Sequence, residues 1–333
     1  MNYLSYLNIR HFKGIENLEL NDLSNINIIV GENNTGKTSV LEAISLLQSQ
    51  DSIKTMLKHV SRSDNSYPSK FELFLEIFPK EQYISKNIQI NSIINGLTRE
   101  LKIDGNLIEK MFRGTISVKL DNEKLINKDM ILKENQVLKD NSSYDIIKII
   151  YITPYDHFKD GLINKTIENI KESEKGKIIN LLQMFDSNIL DFKILSTNNK
   201  DNPMTTYIKH KKYGLMPLFS FGDSIKKVLT LASAVISAKQ GILLVDEIET
   251  AIHKNMINDV FKWFIEACKE FEVQLICTTH SLEAIDGMIM GVGKQTDSLS
   301  CFRIEIYDEK NYGTKFSGNK LKDIRTLLGQ DVR

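Results

Sequence analysis

Short runs of apolar residues alternate with amphipathic helical patterns along most of the chain. An apolar run of this kind is typical of a strand that is buried on both faces of a sheet. Apolar side chains spaced three or four residues apart are typical of a helix that packs one face against a sheet. Strands that alternate with helices predict a parallel sheet in an α/β fold. The predicted strands are residues 25–30, 146–152, 241–245, 273–278 and 301–307, and the predicted helices follow Thr38 and cover 162–185, 224–238 and 254–271.

Two further regions have strand patterns of a different kind. The first twenty residues alternate between apolar and polar side chains, which predicts an antiparallel pair that turns near Lys13 and Gly14. In the segment between the first helix and the second buried strand, the signals are weak, and strands are predicted at 71–78, 88–94 and 114–120. The chain is therefore predicted to have a mixed central sheet with an N-terminal antiparallel β lobe and a helical lobe. The predicted division is a core of 1–50 and 146–333, with the helical lobe at about 156–238, and an inserted or peripheral β-rich lobe at 51–145.

The composition favours a globular chain and excludes several other classes. Apolar residues make up 41% of the 333 residues and charged residues 26%, so a disordered or fibrous chain is excluded. Lysine plus arginine and aspartate plus glutamate both number 43, so no basic excess indicates nucleic acid. The charge-free run at 228–238 is too short to span a bilayer, and the N-terminal residues, with Arg10 and Lys13 among polar side chains, lack the apolar core of a signal peptide. Three isolated cysteines are typical of a reducing compartment, so we expect a cytoplasmic protein without a membrane segment.

One loop matches the pattern of a phosphate-binding loop, G-x-x-x-x-G-K-[ST], between a predicted buried strand and a predicted helix. Gly31 and Gly36 allow backbone conformations that point successive N–H groups inward, and the helix that follows presents the positive end of its dipole. Lys37 supplies a charge for the β and γ oxygens of a nucleotide, and Thr38 supplies a hydroxyl for Mg²⁺. The sequence therefore predicts ATP and Mg²⁺ as ligands. The candidate nucleotide-binding residues are Gly31, Asn33, Asn34, Thr35, Gly36, Lys37, Thr38 and Ser39.

A second motif follows the apolar strand at 241–245, which runs directly into Asp246 and Glu247. In an ATPase site, an acid at this point holds Mg²⁺, and we assign this role to Asp246. Glu247 is the candidate general base, which would accept a proton from the attacking water. The alternative interpretation is a core strand followed by an acid pair that caps a helix.

His280 lies just after another predicted buried strand, in the segment Thr278–Ser281 read as TTHS. Because the carboxyl ends of strands line the ligand crevice in an open α/β sheet, a histidine here is a candidate catalytic residue. The alternative is a structural histidine.

The segment SFGDS, residues 220–224, opens a predicted helix. Ser220 and Asp223 have the residue types of ordinary helix N-caps. The same helix start, with Gly222 in place of a large side chain, can also receive a phosphate.

Together these motifs resemble the ABC-type ATPases in their SMC-like branch, and more narrowly the overcoming-lysogenisation-defect (OLD) ATPases. The resemblance implies that Ser220, Gly222 and Asp223 form a signature that contacts the γ-phosphate held by a second subunit. It implies that His280 senses the γ-phosphate and that His253, in the place of a commoner aspartate, lies at an interface or switch. The resemblance covers both ends of the chain and none of 51–145. The matching segments are residues 9–15, GENNTGKTSVLEAI, SFGDSIKKVLTL, LLVDEIETAIHK and TTHS.

Several features depart from the family pattern. The signature reads SFGDS where LSGGQ is commoner, and the glutamine that other members place on Mg²⁺ has three candidates here, Gln82, Gln89 and Gln136. The residues between Lys37 and the signature are too few for the long coiled coil of chromosome-organising relatives. The residues after His280 are too few for the Toprim nuclease domain that many OLD proteins carry. We therefore expect a chain without a nuclease of its own.

The leading hypothesis is an ATP-driven dimerising switch that controls a separately encoded nuclease or toxin, in bacterial anti-phage defence. The partners expected are a second copy of the chain, with ATP sandwiched at the interface, higher oligomers in addition, and the effector. The alternative is a DNA repair or recombination ATPase that binds duplex directly; the zero net charge does not favour it but allows a local basic stripe. A small-molecule phosphotransferase is less favoured because it does not need a water-activating glutamate after Asp246, and transport is least favoured.

Overall fold

The structure is a computed structural model that describes residues 2–48, 57, 69–121, 123–134, 145–168, 170–196 and 204–333. Two hydrophobic cores lie on opposite faces of one central sheet. Adjacent residues of its strands point to opposite cores, as with Ile28 and Ile29 or Leu243 and Leu244. This alternation is what the period of two in a strand requires when both faces are covered.

The central sheet has six strands in the order β15-β14-β3-β13-β12-β8. All neighbouring pairs are parallel except β14 and β15, which are antiparallel. The short strands β3, β12 and β13 are buried throughout, as their apolar sequences predict. The strands are β3 (Ile26–Val30), β8 (Ile149–Ile152), β12 (Ile242–Val245), β13 (Gln274–Thr278), β14 (Leu299–Tyr307) and β15 (Lys310–Ser317).

A second, antiparallel sheet covers one face of the central sheet, with the order β2-β1-β4-β5-β6-β7. Its buried side chains share a core with the first helix and with alternate residues of the central strands. The chain is thus α/β with a mixed central sheet and an N-terminal antiparallel lobe, as the sequence predicts. The strands are β1 (Leu4–Phe12), β2 (Ile15–Asn21), β4 (Ser85–Ile94), β5 (Leu97–Ile108), β6 (Met111–Leu120) and β7 (Glu123–Lys133).

Helices cover the other face of the central sheet and form most of the second core. The longest, α6, follows β12 and has an apolar face of Ile, Val and Phe side chains, which explains why it packs on the sheet. A 3-10 turn, Asp156–Phe158, connects β8 to this helical layer. The helices are α1 (Lys37–Ser45), α2 (Lys70–Leu75), α3 (Asp160–Glu168), α4 (Glu172–Gln183), α5 (Asp223–Ser237), α6 (Lys254–Glu270), α7 (Leu282–Val292) and α8 (Gly318–Thr326).

The strand predicted at 71–78 is wrong, because Lys70–Leu75 forms the helix α2. The Ser69 side chain caps this helix by accepting the N–H of Glu72, an S-x-x-E start that favours a helix. Phe74 of α2 packs edge-to-face on Phe78, in the turn after the helix, and on Phe112, with ring centroids 5.2 Å and 5.1 Å apart. Tertiary packing of the aromatic rings decides in favour of the helix here.

The predicted helical lobe at about 156–238 also contains a three-stranded antiparallel sheet, in the order β11-β10-β9. Polar side chains such as Thr206 and His210 are buried in it, so the period of two in its apolar residues is weak. These strands are β9 (Ile189–Ser196), β10 (Met204–His210) and β11 (Gly214–Pro217). Because β4–β7 continue the sheet of β1 and β2, the peripheral strands and the N-terminal pair form one layer. The domain division at 51 and 146 stays a prediction.

Candidate functional site

The loop between β3 and α1 has the backbone that an anion site requires. Gly31, Asn34 and Gly36 all have positive φ values, of 144°, 64° and 96°. A Cβ atom at Gly31 would lie 2.3 Å from the carbonyl oxygen of Ile304, so only glycine fits there. No side chain of the described residues caps α1, so its first N–H groups are available to bind an anion.

Lys37 is the first residue of α1, and its side chain folds back over the loop. Its ammonium donates hydrogen bonds to the carbonyl oxygens of Gly31, at 2.9 Å, and Glu32, at 2.6 Å. Burial lowers the pKa of the ammonium, while the carboxylates of Asp246 and Glu247 act in the opposite direction. The cation is thus held at the centre of the loop, where the oxygens of a phosphate chain would meet it.

Asp246 follows β12 and lies against the start of α1. The Thr38 hydroxyl donates to its Oδ2 at 2.9 Å, and the Thr278 hydroxyl donates to its Oδ1 at 2.6 Å. A hydroxyl and a carboxylate at hydrogen-bond distance form the oxygen donor set that Mg²⁺ prefers beside phosphates. Thr38 and Asp246 therefore fit a magnesium ion.

Glu247 is exposed beside Asp246 and has a φ of 46°, a conformation that is unusual for glutamate. Its backbone N–H donates to the Thr278 hydroxyl at 2.8 Å, and its Oε2 accepts the Thr250 hydroxyl at 3.2 Å. The next helix begins only at Lys254. The interpretation of Asp246 and Glu247 as a helix-capping pair is therefore wrong.

A cleft of about 720 Å³ brings several of the candidate residues together. The loop forms one wall, and Glu247 and His280 form another, because β3, β13 and β12 are neighbours and end at the same edge. His280 is held by its backbone, which donates to Glu249 Oε1 at 3.0 Å. The cleft is lined by Lys13, Gly14, Asn33, Asn34, Gly36, Lys37, Thr38, Ser39, Glu76, Phe78, Lys80, Glu81, Glu247 and His280.

Gly31 and Thr35 support the loop from inside rather than line the cleft. Gly31 packs against β14, and the Thr35 hydroxyl donates to the carbonyl of Glu32 at 3.0 Å. Asn311 of β15 donates to the Thr35 carbonyl at 3.0 Å, so the hairpin of β14 and β15 braces the loop.

The signature residues lie apart from this cleft: among the described residues that line it, Ser220, Gly222 and Asp223 are absent. Ser220 is exposed, and α5 begins at Asp223 with Gly222 as its N-cap and no side-chain cap. The interpretation of Ser220 and Asp223 as side-chain N-caps is therefore wrong. The Ser224 hydroxyl donates to the carbonyl of Ala251 at 2.6 Å, which ties this segment to the turn after Glu247.

His253 is exposed and is the N-cap of α6, where its Nδ1 accepts the N–H of Asn255 at 3.3 Å. Of the three glutamine candidates, Gln89 donates to Glu100 and Gln82 accepts the N–H of Asn87, so both have partners in the antiparallel layer. Gln136 lies outside the described residues.

Sequence reasoning missed two parts of the site. Thr278 joins Asp246 to Glu247, and only the order of the strands reveals this contact. The wall of Glu76, Phe78, Lys80 and Glu81 comes from the segment without family resemblance. The N–H of Lys13 donates to the carbonyl of Ile77 at 2.9 Å, so a tertiary contact joins this wall to the turn between β1 and β2, which also lines the cleft.

The fold, with a phosphate-binding loop between β3 and α1, defines a P-loop ATPase with the head architecture of the ABC type. The chain belongs to the family described as "AAA domain, putative AbiEii toxin, Type IV TA system", which matches residues 26–286. It is therefore an ATPase. Across the described residues, no helix is both long and apolar enough to cross a membrane.

Three known proteins illustrate the similarity. An "ATP/GTP phosphatase" of Helicobacter pylori is 25% identical over 328 residues, which cover 84% of this chain and 85% of that protein. The "DNA replication and repair protein RecF" of a Shewanella species is 27% identical over 216 residues, 54% of this chain and 58% of that protein. The Smc head bound to the C-winged helix domain of ScpA superposes with a TM-score of 0.58 at 14% identity, over 95% of this chain and 98% of that chain. The last similarity shows the shared fold.

Proposed function

We propose that this ATPase binds ATP with Mg²⁺ in the cleft and uses hydrolysis to open and close a homodimer. The observation that carries the proposal is that the loop, Asp246, Glu247 and His280 converge at one edge of the sheet, while the Ser220 segment faces solvent elsewhere. One chain supplies a phosphate cradle and a candidate base, and a second copy would supply the remaining contacts to the γ-phosphate.

The candidate residues have separate roles in this proposal. Lys37 and the loop N–H groups bind the phosphates, and Thr38 and Asp246 hold Mg²⁺, which offsets the phosphate charge when bound. Glu247 accepts the proton of the attacking water, and its exposed carboxylate on the cleft wall suits this task. His280 contacts the γ-phosphate from the same wall.

Thr278 gives a test of this arrangement. Thr278→Val removes the hydroxyl that bonds both Asp246 and Glu247, and leaves the Glu247 N–H unpaired. Leaving a buried polar group without its hydrogen bond costs about 1–3 kcal/mol. Because Asp246 and Glu247 then lose their orientation for the transition state, we expect kcat to fall by about ten-fold or more, with a smaller change in ATP affinity. Steady-state phosphate release measures kcat, with Thr278→Ser as the control that retains the hydroxyl. Equal rates in Thr278→Val and the wild type would contradict the role of this contact.

The second copy would bind head to tail, related by a two-fold axis. The uncapped start of α5 behind Ser220 presents free N–H groups, which favour a negative charge such as a phosphate of the partner's nucleotide. His253, exposed at the start of α6, is close in sequence to the Ala251 turn that Ser224 contacts, which supports a place for it at the interface. A two-fold arrangement closes without further copies, and higher oligomers would need another surface.

The switch would control a separately encoded nuclease or toxin in anti-phage defence, in the cytoplasm and in the manner of the OLD-like ATPases without a Toprim domain. The toxin system named in the family description supports an effector of this kind.

Sedimentation of the wild-type protein tests the dimer. Its mass should double with ATP and Mg²⁺ and should remain that of one chain with ADP or without nucleotide. An unchanged mass with ATP would contradict the switch. Release of free phosphate, without a phosphorylated product, separates hydrolysis from phosphotransfer.

A DNA repair or recombination ATPase is the second candidate, and the similarity to the RecF of Shewanella favours it. Direct binding to duplex would weaken steeply as salt is raised, because lysines that neutralise phosphates release counterions. Affinity for a duplex at two salt concentrations, with and without ATP, separates the two candidates.

A further inference from the structure

Lys227 of α5 has a fully buried side chain, with 0% exposure, although α5 begins at the exposed signature. Its ammonium nitrogen is buried and has no hydrogen-bond partner in the part of the chain that the structure describes. Burial lowers the pKa of this ammonium to about 8, and nearby carboxylates act in the opposite direction, Glu249 before the others. A buried cation costs several kcal/mol unless a carboxylate compensates it, so the position requires an anionic neighbour.

Among the described carboxylates that act on this ammonium, one has a free buried oxygen. Asp156 accepts a backbone N–H through Oδ2, Asp246 accepts two threonine hydroxyls, and Glu247 is exposed. Glu249 has a buried Oε2 without a hydrogen-bond partner.

The Ser224 hydroxyl, one turn before Lys227 on α5, donates to the carbonyl of Ala251 at 2.6 Å, which brings this face of α5 to the segment that contains Glu249. The ammonium and the Glu249 carboxylate are not hydrogen-bonded to each other, so their attraction acts at longer range. Of the four carboxylates that act on the ammonium, Glu249 has the largest effect.

The other oxygen of Glu249 accepts the backbone N–H of His280 at 3.0 Å. We propose that Lys227 is a positioning residue for ATP hydrolysis: its positive charge attracts the Glu249 carboxylate and, through the hydrogen bond from the His280 N–H, orients His280 at the wall of the cleft. This proposal rests on the role of His280 in the proposed function. Because α5 begins at the signature, the same link connects the surface that a second copy would contact to the histidine of the chain's own cleft.

The stability of three variants tests the charge pair independently of activity. Lys227→Met leaves the Glu249 carboxylate uncompensated, and Glu249→Gln leaves the ammonium uncompensated while its amide oxygen still accepts the His280 N–H. We expect each single variant to lower the thermal unfolding midpoint, and the double variant to recover most of that loss, since both charges are then absent. Additive losses in the double variant would overturn the pairing.

The kinetics of the folded variants test the positioning role. Lys227→Met should lower kcat by about ten-fold and change KM by less than about two-fold, because a displaced histidine matters mainly in the transition state. His280→Ala should itself slow hydrolysis more than it weakens ATP binding. Adding Lys227→Met to His280→Ala should then have no further effect. The control is Lys239→Met, which removes an exposed lysine just after the same helix and should hydrolyse ATP at the wild-type rate.

The two possible failures can be told apart. If His280→Ala leaves kcat unchanged, the proposed role of His280 is wrong and the positioning role falls with it. If His280→Ala slows hydrolysis but Lys227→Met does not, or if Lys227→Met slows it equally in both backgrounds, the role of His280 stands. In either of these cases Lys227 does not act through His280, and the present proposal is overturned.

Discussion

Lys37→Ala should abolish measurable ATP binding while the protein remains folded. The ammonium sits at the centre of the loop and donates to two loop carbonyls, so alanine removes the only charge that α1 places there. Hydrogen bonds to charged groups contribute about 1.5–3 kcal/mol each, and two of them to a phosphate chain correspond to about a 10²–10⁴-fold loss of affinity. Titration calorimetry with ATP and Mg²⁺ measures this loss.

Lys37→Ala should change the free energy of unfolding only slightly, because a stabilising and a destabilising effect partly cancel. Alanine forfeits the hydrogen bonds to Gly31 and Glu32 but also removes a cation whose pKa is lowered by burial. The thermal midpoint without nucleotide checks this point. Lys254→Ala, at an exposed position in the first turn of α6, is the matched control and should bind ATP as the wild type does. An ATP affinity that is unchanged in Lys37→Ala would contradict the assignment of the cleft as the ATP-binding site.

Glu247→Gln should trap the protein as an ATP-bound dimer, and Ser220→Arg should prevent that dimer from forming. Glutamine keeps the shape of the side chain but cannot accept the proton of water, so ATP binds and persists. A bulky cation at the exposed Ser220 obstructs the approach of a partner's nucleotide to the start of α5. Sedimentation with ATP and Mg²⁺ should therefore give a dimer for Glu247→Gln and a monomer for Glu247→Gln combined with Ser220→Arg.

Controls make this result specific to the signature surface. Ser85→Arg places the same charge on an exposed serine of β4 and should leave the Glu247→Gln dimer intact. The hydrolysis rate of Ser220→Arg, with Glu247 intact, should fall together with its dimerisation. A mass that does not depend on ATP in Glu247→Gln, or a Ser220→Arg protein that dimerises as well as wild type, would show that the composite site is wrong.

The central strands could be predicted from sequence because burial on both faces leaves a continuous apolar run, as in Ile242–Val245. The helix α2 could not be predicted with the same rule, because the apolar residues at 71–78 fit a period of two as well as a helical period until the packing of Phe74 against Phe112 is known. The buried threonines of β10 likewise conceal a strand, because polar side chains interrupt the apolar pattern.

The core of the site could be predicted because the loop, Asp246 and His280 each follow a buried strand, and parallel strands end at one edge. What the sequence could not reveal depends on contacts between distant segments. Thr278 reaches Asp246 only because β13 lies between β3 and β12. Lys227 looks like an ordinary helix lysine, and its complete burial distinguishes it from the half-buried Lys226 beside it.

The left-handed backbone conformation of Glu247 lowers thermal stability at the same residue that is proposed as the catalytic base. At a φ of 46° a side chain with a Cβ carries strain of order 1 kcal/mol, which glycine would not carry. Selection for thermal resistance alone would therefore favour glycine here and discard the proposed base. A chain that keeps glutamate retains the strain. If variants selected for thermal stability nevertheless keep glutamate at 247, they must also have been selected for ATP turnover.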